Sequence, residues 1–331
     1  MRIITRSRAL LFALLFSFLF LLSFIYIAYI VPPKIHRVLE KYFPDYSVDV
    51  ASRYVKQVID TLYLPITILF IAIIAIAITG LLLRVTKLSL ASILTIYLPV
   101  FGYFTIAMNF FAGIGILRVL LIPFIASPEP LSRLGDFLAY VIMLFLLLPA
   151  LPVLFIAPTH TNVAIQSEVF FLQFLGIAIL FLGTLTWFYG KLRGYRVIDF
   201  WIYKYSRHPQ YLGLIIWSIG YMYSLPSTAV FGTLIFPYPS TLLLLYILLI
   251  TGTALVEEIN LLGKYPEYEV YWSKTPFLLP LPKPVTSILC YPVRKILGKP
   301  YPENPLEVLL VIIVYFAIIS ALSLMMYPLA H

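Results

Sequence analysis

Residues 10–31 read LLFALLFSFLFLLSFIYIAYIV, an uncharged stretch that follows Arg2, Arg6 and Arg8. A bilayer core about 30 Å thick is crossed by about 20 apolar residues of helix. Stretches of this kind recur at 62–83, 88–126, 137–157, 168–189, 211–236, 240–262 and 306–328. Of the 331 residues, 62% are hydrophobic and 11% charged, where a soluble globular chain has about a quarter charged. The expected fold is therefore all-α and polytopic, with about eight to nine spans. The first stretch is too long for the apolar core of a signal peptide and ends without a small-residue cleavage site, so it is expected to be a retained anchor.

The 88–126 stretch decides the parity of the topology. As one helix at about 1.5 Å per residue it would be nearly twice the length the bilayer needs, and Pro99, Gly102, Gly113, Gly115 and Pro123 interrupt it. Two short spans or a re-entrant pair are expected. Charge agrees: with Arg2, Arg6 and Arg8 in the cytoplasm, two spans place 191–207 and 264–299 there as well, as the positive-inside rule requires. The loop 32–60 mixes Lys34, Arg37, Lys41, Arg53 and Lys56 with Glu40, Asp45, Asp49 and Asp60, and reads as a surface cap with amphipathic helix. Arg118 is the lone charge deep in an apolar stretch, and snorkelling is its ordinary explanation.

Three segments are expected: a membrane part over 1–165, a core over 166–282 that holds the chemistry, and a connector with a last span over 283–331. Pro276, Pro280, Pro282, Pro284, Pro292, Pro300, Pro302 and Pro305 crowd the 276–305 connector and argue against a long helix there.

Composition also excludes function classes. The net charge of +9 lies in short basic clusters between apolar runs, which suits membrane lipids rather than nucleic acid. One cysteine, Cys290, and four histidines give neither an internal disulfide nor a Cys/His zinc cluster, so no metal is expected.

Polar residues able to do chemistry concentrate between Trp187 and Pro280. The run Tyr203-Lys204-Tyr205-Ser206-Arg207-His208-Pro209-Gln210-Tyr211-Leu212-Gly213 opens a span, with Pro209 suited to a first helical turn. Helix N-termini attract anions, and Arg207 and His208 add donors for a ligand carboxylate. At the end of the returning span stand Glu257 and Glu258, acids that near hydrocarbon normally face a partner or a cavity. Either they bridge to Arg207 or Lys264, or one of them binds a ligand ammonium. The aromatics Tyr265, Tyr268, Tyr271 and Trp272 follow, as an interfacial belt or as cover for a flat, cationic ligand.

Together these elements resemble the isoprenylcysteine carboxyl methyltransferase and phospholipid methyltransferase superfamily. Its Arg-His-Pro-x-Tyr-x-Gly motif is matched by Arg207, His208, Pro209, Tyr211 and Gly213. Its Glu-Glu-x-x-Leu motif is matched by Glu257, Glu258 and Leu261, and its Tyr-x-x-Tyr stretch by Tyr268 and Tyr271. The resemblance covers 168–282 and departs at Tyr265-Pro266, where relatives usually carry Phe-Gly.

The resemblance implies a membrane enzyme that uses S-adenosyl-L-methionine from the cytosol and a lipophilic substrate from the bilayer, with a helical core and a cytoplasmic lid. It implies Tyr205, His208, Pro209, Tyr211 and Gly213 as cofactor-binding residues, joined by Glu257, Glu258, Tyr268 and Trp272. Arg207 and Glu258 are the expected catalytic residues. Two other classes stay open: an NADPH-dependent membrane reductase of the sterol reductase type, whose C-terminal region is similar, and a non-catalytic scaffold or transporter.

Overall fold

The computed structural model describes residues 5–31, 34, 37–38, 41, 48–101, 122–125, 133–156, 161–223 and 240–326. These residues form helices and turns, with no strand among them. The helices are α1 (Arg6–Ile25, prolonged by a π-turn at Tyr26–Ile30), α2 (Val48–Leu82), α3 (Thr86–Phe101), α4 (Asp136–Ile156) and α5 (Thr161–Leu192). After them come α6 (Pro209–Tyr223), α7 (Ser240–Leu262), α8 (Tyr268–Lys274), α9 (Lys283–Leu297) and α10 (Pro305–Met326).

Five helical segments are long and apolar enough to cross a membrane: Arg6–Ile30, Asp60–Leu82, Ser167–Leu192, Ser240–Leu262 and Pro305–Met326. The chain is a helical membrane protein. Their lipid-length apolar surfaces are what water would not tolerate, so bilayer and bundle share the task of covering them. Arg118, the middle of the 88–126 stretch, most of the 32–47 loop and the 224–239 part of the expected 211–262 hairpin lie outside the described residues. Within the 32–60 loop, residues from Val48 onward belong to α2, which continues unbroken through Pro65 into the span.

Helix α7 is the axis. Most of it is buried, with Leu242, Leu244, Tyr246 and Ile250 fully enclosed. The surrounding core draws Phe70 from α2, Ile93 from α3, Trp217 and Tyr221 from α6, and Val308 from α10, so it joins all three expected segments.

A glycine seam joins α5 to α6. A Cβ at Gly176 would lie 2.4 Å from the Trp217 amide nitrogen, and one at Gly213 would lie 2.6 Å from that of Leu180. Gly220 opposite Gln173 and Gly183 opposite Gln210 extend the register, which makes the pair antiparallel. Small residues allow this approach between membrane helices, where dispersion and interhelical hydrogen bonds carry the association. One such network fixes α1 to the seam: Trp217 Nε1 donates to Tyr29 Oη (2.9 Å), Tyr29 donates to Gln173 Oε1 (2.9 Å), and Gln173 Nε2 donates to the Gly220 carbonyl (3.2 Å).

The basic clusters gather at one end of the bundle. Ala9 and Ala13 of α1 pack on Tyr189 beside Leu192, which brings Arg6 and Arg8 near 191–207. Asn260 Nδ2 reaches the Arg84 carbonyl (3.5 Å), and Arg196 pairs with Glu267 (4.0 Å). The turn before α4 lies at the opposite end of α7, where Ser240 donates to Asp136 (2.5 Å) and the Leu134 amide donates to Thr241 (3.0 Å). Arg84 and Asp136 therefore stand at opposite ends of α7.

The proline-rich connector departs from the expectation. Residues 283–297 form α9, a helix of 15 residues. Pro282 and Pro284 fall at its start, where a missing N–H costs nothing, and only Pro292 interrupts the ladder.

Candidate active site

At the basic end, the residue before α6 meets the last turns of α7. Helix α6 begins at Pro209, so Arg207 and His208 precede it and lean toward Glu257 and Glu258. The entry to α6 is anchored by the Arg207 amide, which donates to the Pro276 carbonyl (3.0 Å). That bond brings the segment after α8 over the pair.

Glu258 is the hub. Its side chain is 6% exposed. Oε1 lies 2.8 Å from Arg207 Nε, an ion pair without the alignment of a linear hydrogen bond. The same oxygen lies 3.0 Å from His208 Nε2, and Oε2 accepts from Trp272 Nε1 (2.9 Å). Arg207, itself 8% exposed, donates from Nη1 to the Trp272 carbonyl and sits 5.0 Å from the Trp272 ring and 5.7 Å from that of Phe277. A buried carboxylate with a guanidinium and an indole N–H is well satisfied, and its partners are held in one arrangement.

Glu257 differs. Its side chain is 35% exposed. It accepts a hydrogen bond from Tyr211 Oη (2.7 Å), and its Oε2 stands 3.9 Å from His208 Nδ1. The fixed charges within the cluster are one guanidinium against two carboxylates. Arg207 is committed to Glu258, so the charge that no fixed cation in the cluster matches sits on Glu257, the more accessible acid.

The structure brings Arg207, His208, Tyr211, Glu257, Glu258 and Trp272 together. It does not bring Tyr205, which is 67% exposed and has no hydrogen bond or ring contact that joins its side chain to the cluster. Gly213 and Pro209 serve the α5 seam: Gly213 for closeness to Leu180, Pro209 beside Gly183. Tyr268 is buried with Ile198, Tyr203 and Tyr271, so its ring is occupied by packing. Burial pushes the phenols of Tyr203, Tyr268 and Tyr271 well above the ordinary tyrosine range, which leaves them neutral donors. Tyr271 donates to the Tyr203 carbonyl (2.8 Å), and Tyr203 to Gln210 Oε1 (2.9 Å).

Three neighbours were not legible beforehand. Phe277 sets its ring edge-on to His208 (5.3 Å between centroids), Gln210 anchors Tyr203, and Tyr301 from the far connector stands edge-on to Trp272 (4.4 Å). Only Gln210 lies inside a motif, at a position where the motif specifies nothing. Among the described residues no group of three His, Cys, Asp or Glu could hold a metal ion. The chain matches no protein-family model, no curated protein and no solved structure.

Proposed function

We propose that this cluster binds S-adenosyl-L-methionine and that the protein transfers its methyl group to a lipophilic acceptor from the bilayer. The observation that carries the reading is the division of labour between the two acids: Glu258 is sealed among Arg207, His208 and Trp272, and Glu257 is left accessible with unmatched negative charge. That charge suits the α-ammonium or sulfonium of the cofactor. The same charge repels the phosphates of a nicotinamide dinucleotide, which supports the methyltransferase over the reductase.

Bound there, S-adenosyl-L-methionine supplies an electrophilic methyl group on a sulfonium. Glu257 holds the ammonium, and Tyr211 fixes the rotamer of Glu257 through its 2.7 Å bond. Glu258 is a positioning residue that orients Arg207, His208 and the Trp272 indole. Displacement at a methyl group demands alignment above all, so rigid positioning is the main contribution the chain can make. A carboxylate acceptor needs no base, whereas an amine acceptor would pass its proton to Glu257.

The finer topology belongs to the same reading. The basic end is the cytoplasmic end by the positive-inside rule, with α3, α4 and α6 entering the bilayer beside the five long apolar segments. Helix α8, with Phe277 and Tyr301 from either end of the connector, forms the lid.

Calorimetric titration of the detergent-purified protein with S-adenosylhomocysteine tests the proposal. Saturable binding that is lost in Glu257→Gln is expected. Binding of a nicotinamide dinucleotide instead would assign the protein to the reductases, and silence from both ligands would leave the cluster as a structural lock in a scaffold or transporter.

A further inference from the structure

Helix α9 carries a surface that neither the bundle nor the cofactor site uses. Val285, Ile288, Leu289 and Ile296 are all exposed, Ile288 to 73%. On a helix, positions i, i+3, i+4 and i+11 fall on one stripe. Val293 is buried and Cys290 half-buried on the adjoining face, which is the face turned to the protein. Arg294 is exposed on the opposite side, and Lys295, seven residues after Ile288, is exposed at the edge of the stripe. Neither carries an ion pair among the described residues, whereas the nearby Lys299 is engaged with Glu303 (2.8 Å) and Glu307 (3.0 Å).

The depth of α9 follows from α10. Tyr315 donates to the Leu289 carbonyl, and Tyr315 lies ten residues into α10, about 15 Å along its axis. A helical tyrosine leans back toward the N-terminus, so Leu289 lies somewhat shallower than that but below the start of the span. Interfacial helices sink about 5–10 Å into the boundary between headgroups and acyl chains. Helix α10 exposes apolar residues of its own, such as Leu306 and Leu310.

We infer that α9 is an interfacial helix that docks on the surface of an anionic phospholipid leaflet, with its apolar stripe among the acyl chains and Arg294 and Lys295 at the headgroups. The occupant is lipid because the apolar stripe meets acyl depth on a helix whose neighbour spans the bilayer, and because two unpaired cations complement anionic headgroups. The inference does not rest on the catalytic reading.

The test uses the full-length protein in nanodiscs of phosphatidylcholine, with and without phosphatidylglycerol. A nitroxide is placed at position 288 or at 294, in a Cys290→Ser background. Collision with oxygen is expected to exceed collision with a water-soluble nickel chelate severalfold at 288, and the ratio to reverse at 294. Adding phosphatidylglycerol should move the 288 label deeper, and Arg294→Gln with Lys295→Gln should abolish that shift.

Equal nickel access at 288 and 294 would overturn the inference. Exclusion of both collision agents at 288, the signature of a protein partner or second copy, would overturn it too. Should Cys290→Ser fail to fold, benzoylphenylalanine at position 288 of the otherwise native chain gives the same decision: photocrosslinks to phospholipid support lipid docking, and crosslinks to protein refute it.

Discussion

Replacing Glu258 by alanine removes the hub of the cluster and leaves Arg207 buried without its counter-ion. Arg207 is 8% exposed and Glu258 6%, so little water can move in to compensate. Breaking one partner of a buried pair costs about 3–5 kcal/mol, and the Trp272 indole bond of 2.9 Å adds about 1–2 kcal/mol for a charge-assisted hydrogen bond lost. For a chain of this size that corresponds to a fall in melting temperature on the order of 10 °C. Glu257→Ala removes a carboxylate that is 35% exposed and has one hydrogen bond, and should cost about 1 kcal/mol. Thermal unfolding of both variants in the same detergent, followed by tryptophan fluorescence, makes the comparison. The two acids are adjacent, so any nonspecific effect of removing charge from this turn is shared. Arg207→Met combined with Glu258→Leu should recover most of the loss, because an apolar pair avoids the unpaired guanidinium. Equal losses for the two single variants, or no recovery in the double, would refute the assignment of Glu258 as the buried hub.

The glycine seam gives a second expectation: Gly176→Ala forces a Cβ to within 2.4 Å of the Trp217 backbone, which should cost about 1–3 kcal/mol and show as faster loss of folded protein during a detergent heat challenge. Gln173→Leu removes the bonds to Tyr29 and Gly220 and should cost about 1 kcal/mol, measurable by the same challenge. Tyr211→Phe releases Glu257 from its 2.7 Å bond and should weaken S-adenosylhomocysteine binding in calorimetry by several-fold while barely moving the melting temperature. The raised phenols of Tyr268 and Tyr271 favour the neutral folded form, so their contribution is complete below the ordinary tyrosine pKa of about 10 and is lost as pH rises above it toward the folded values. Stability between pH 9 and about 11.5 should therefore fall in the native protein and fall less in Tyr271→Phe.

Much of the architecture was present in the order of residues. Uncharged runs of bilayer length can only be satisfied as helices in lipid, so the helical membrane fold followed from runs such as 10–31 and 240–262 without tertiary information. The site was legible to the level of its neighbourhood: Arg207 and His208 open one helix and Glu257 and Glu258 close another, and the basic clusters on both sides require the two ends to lie together. What spacing could not decide was which acid does what. Adjacent residues on a helix point about 100° apart, so the rotation of α7, set by the packing of Leu242, Tyr246 and Ile250 in the core, chooses Glu258 for Arg207 and leaves Glu257 accessible. Likewise the resemblance implies a cofactor role for Gly213, and only the tertiary structure shows its close approach to Leu180. The prolines of the connector argue against a long helix, but proline breaks a helix only where a ladder N–H is needed. With two of the three prolines in 282–292 at the helix start, α9 forms, and its position is fixed by a bond to Tyr315 on a helix that no local pattern connects to it. Local chemistry determined which segments are apolar enough to be helices in a bilayer; the rotation of each helix against its neighbours was set by long-range packing, which side-chain periodicity alone does not encode.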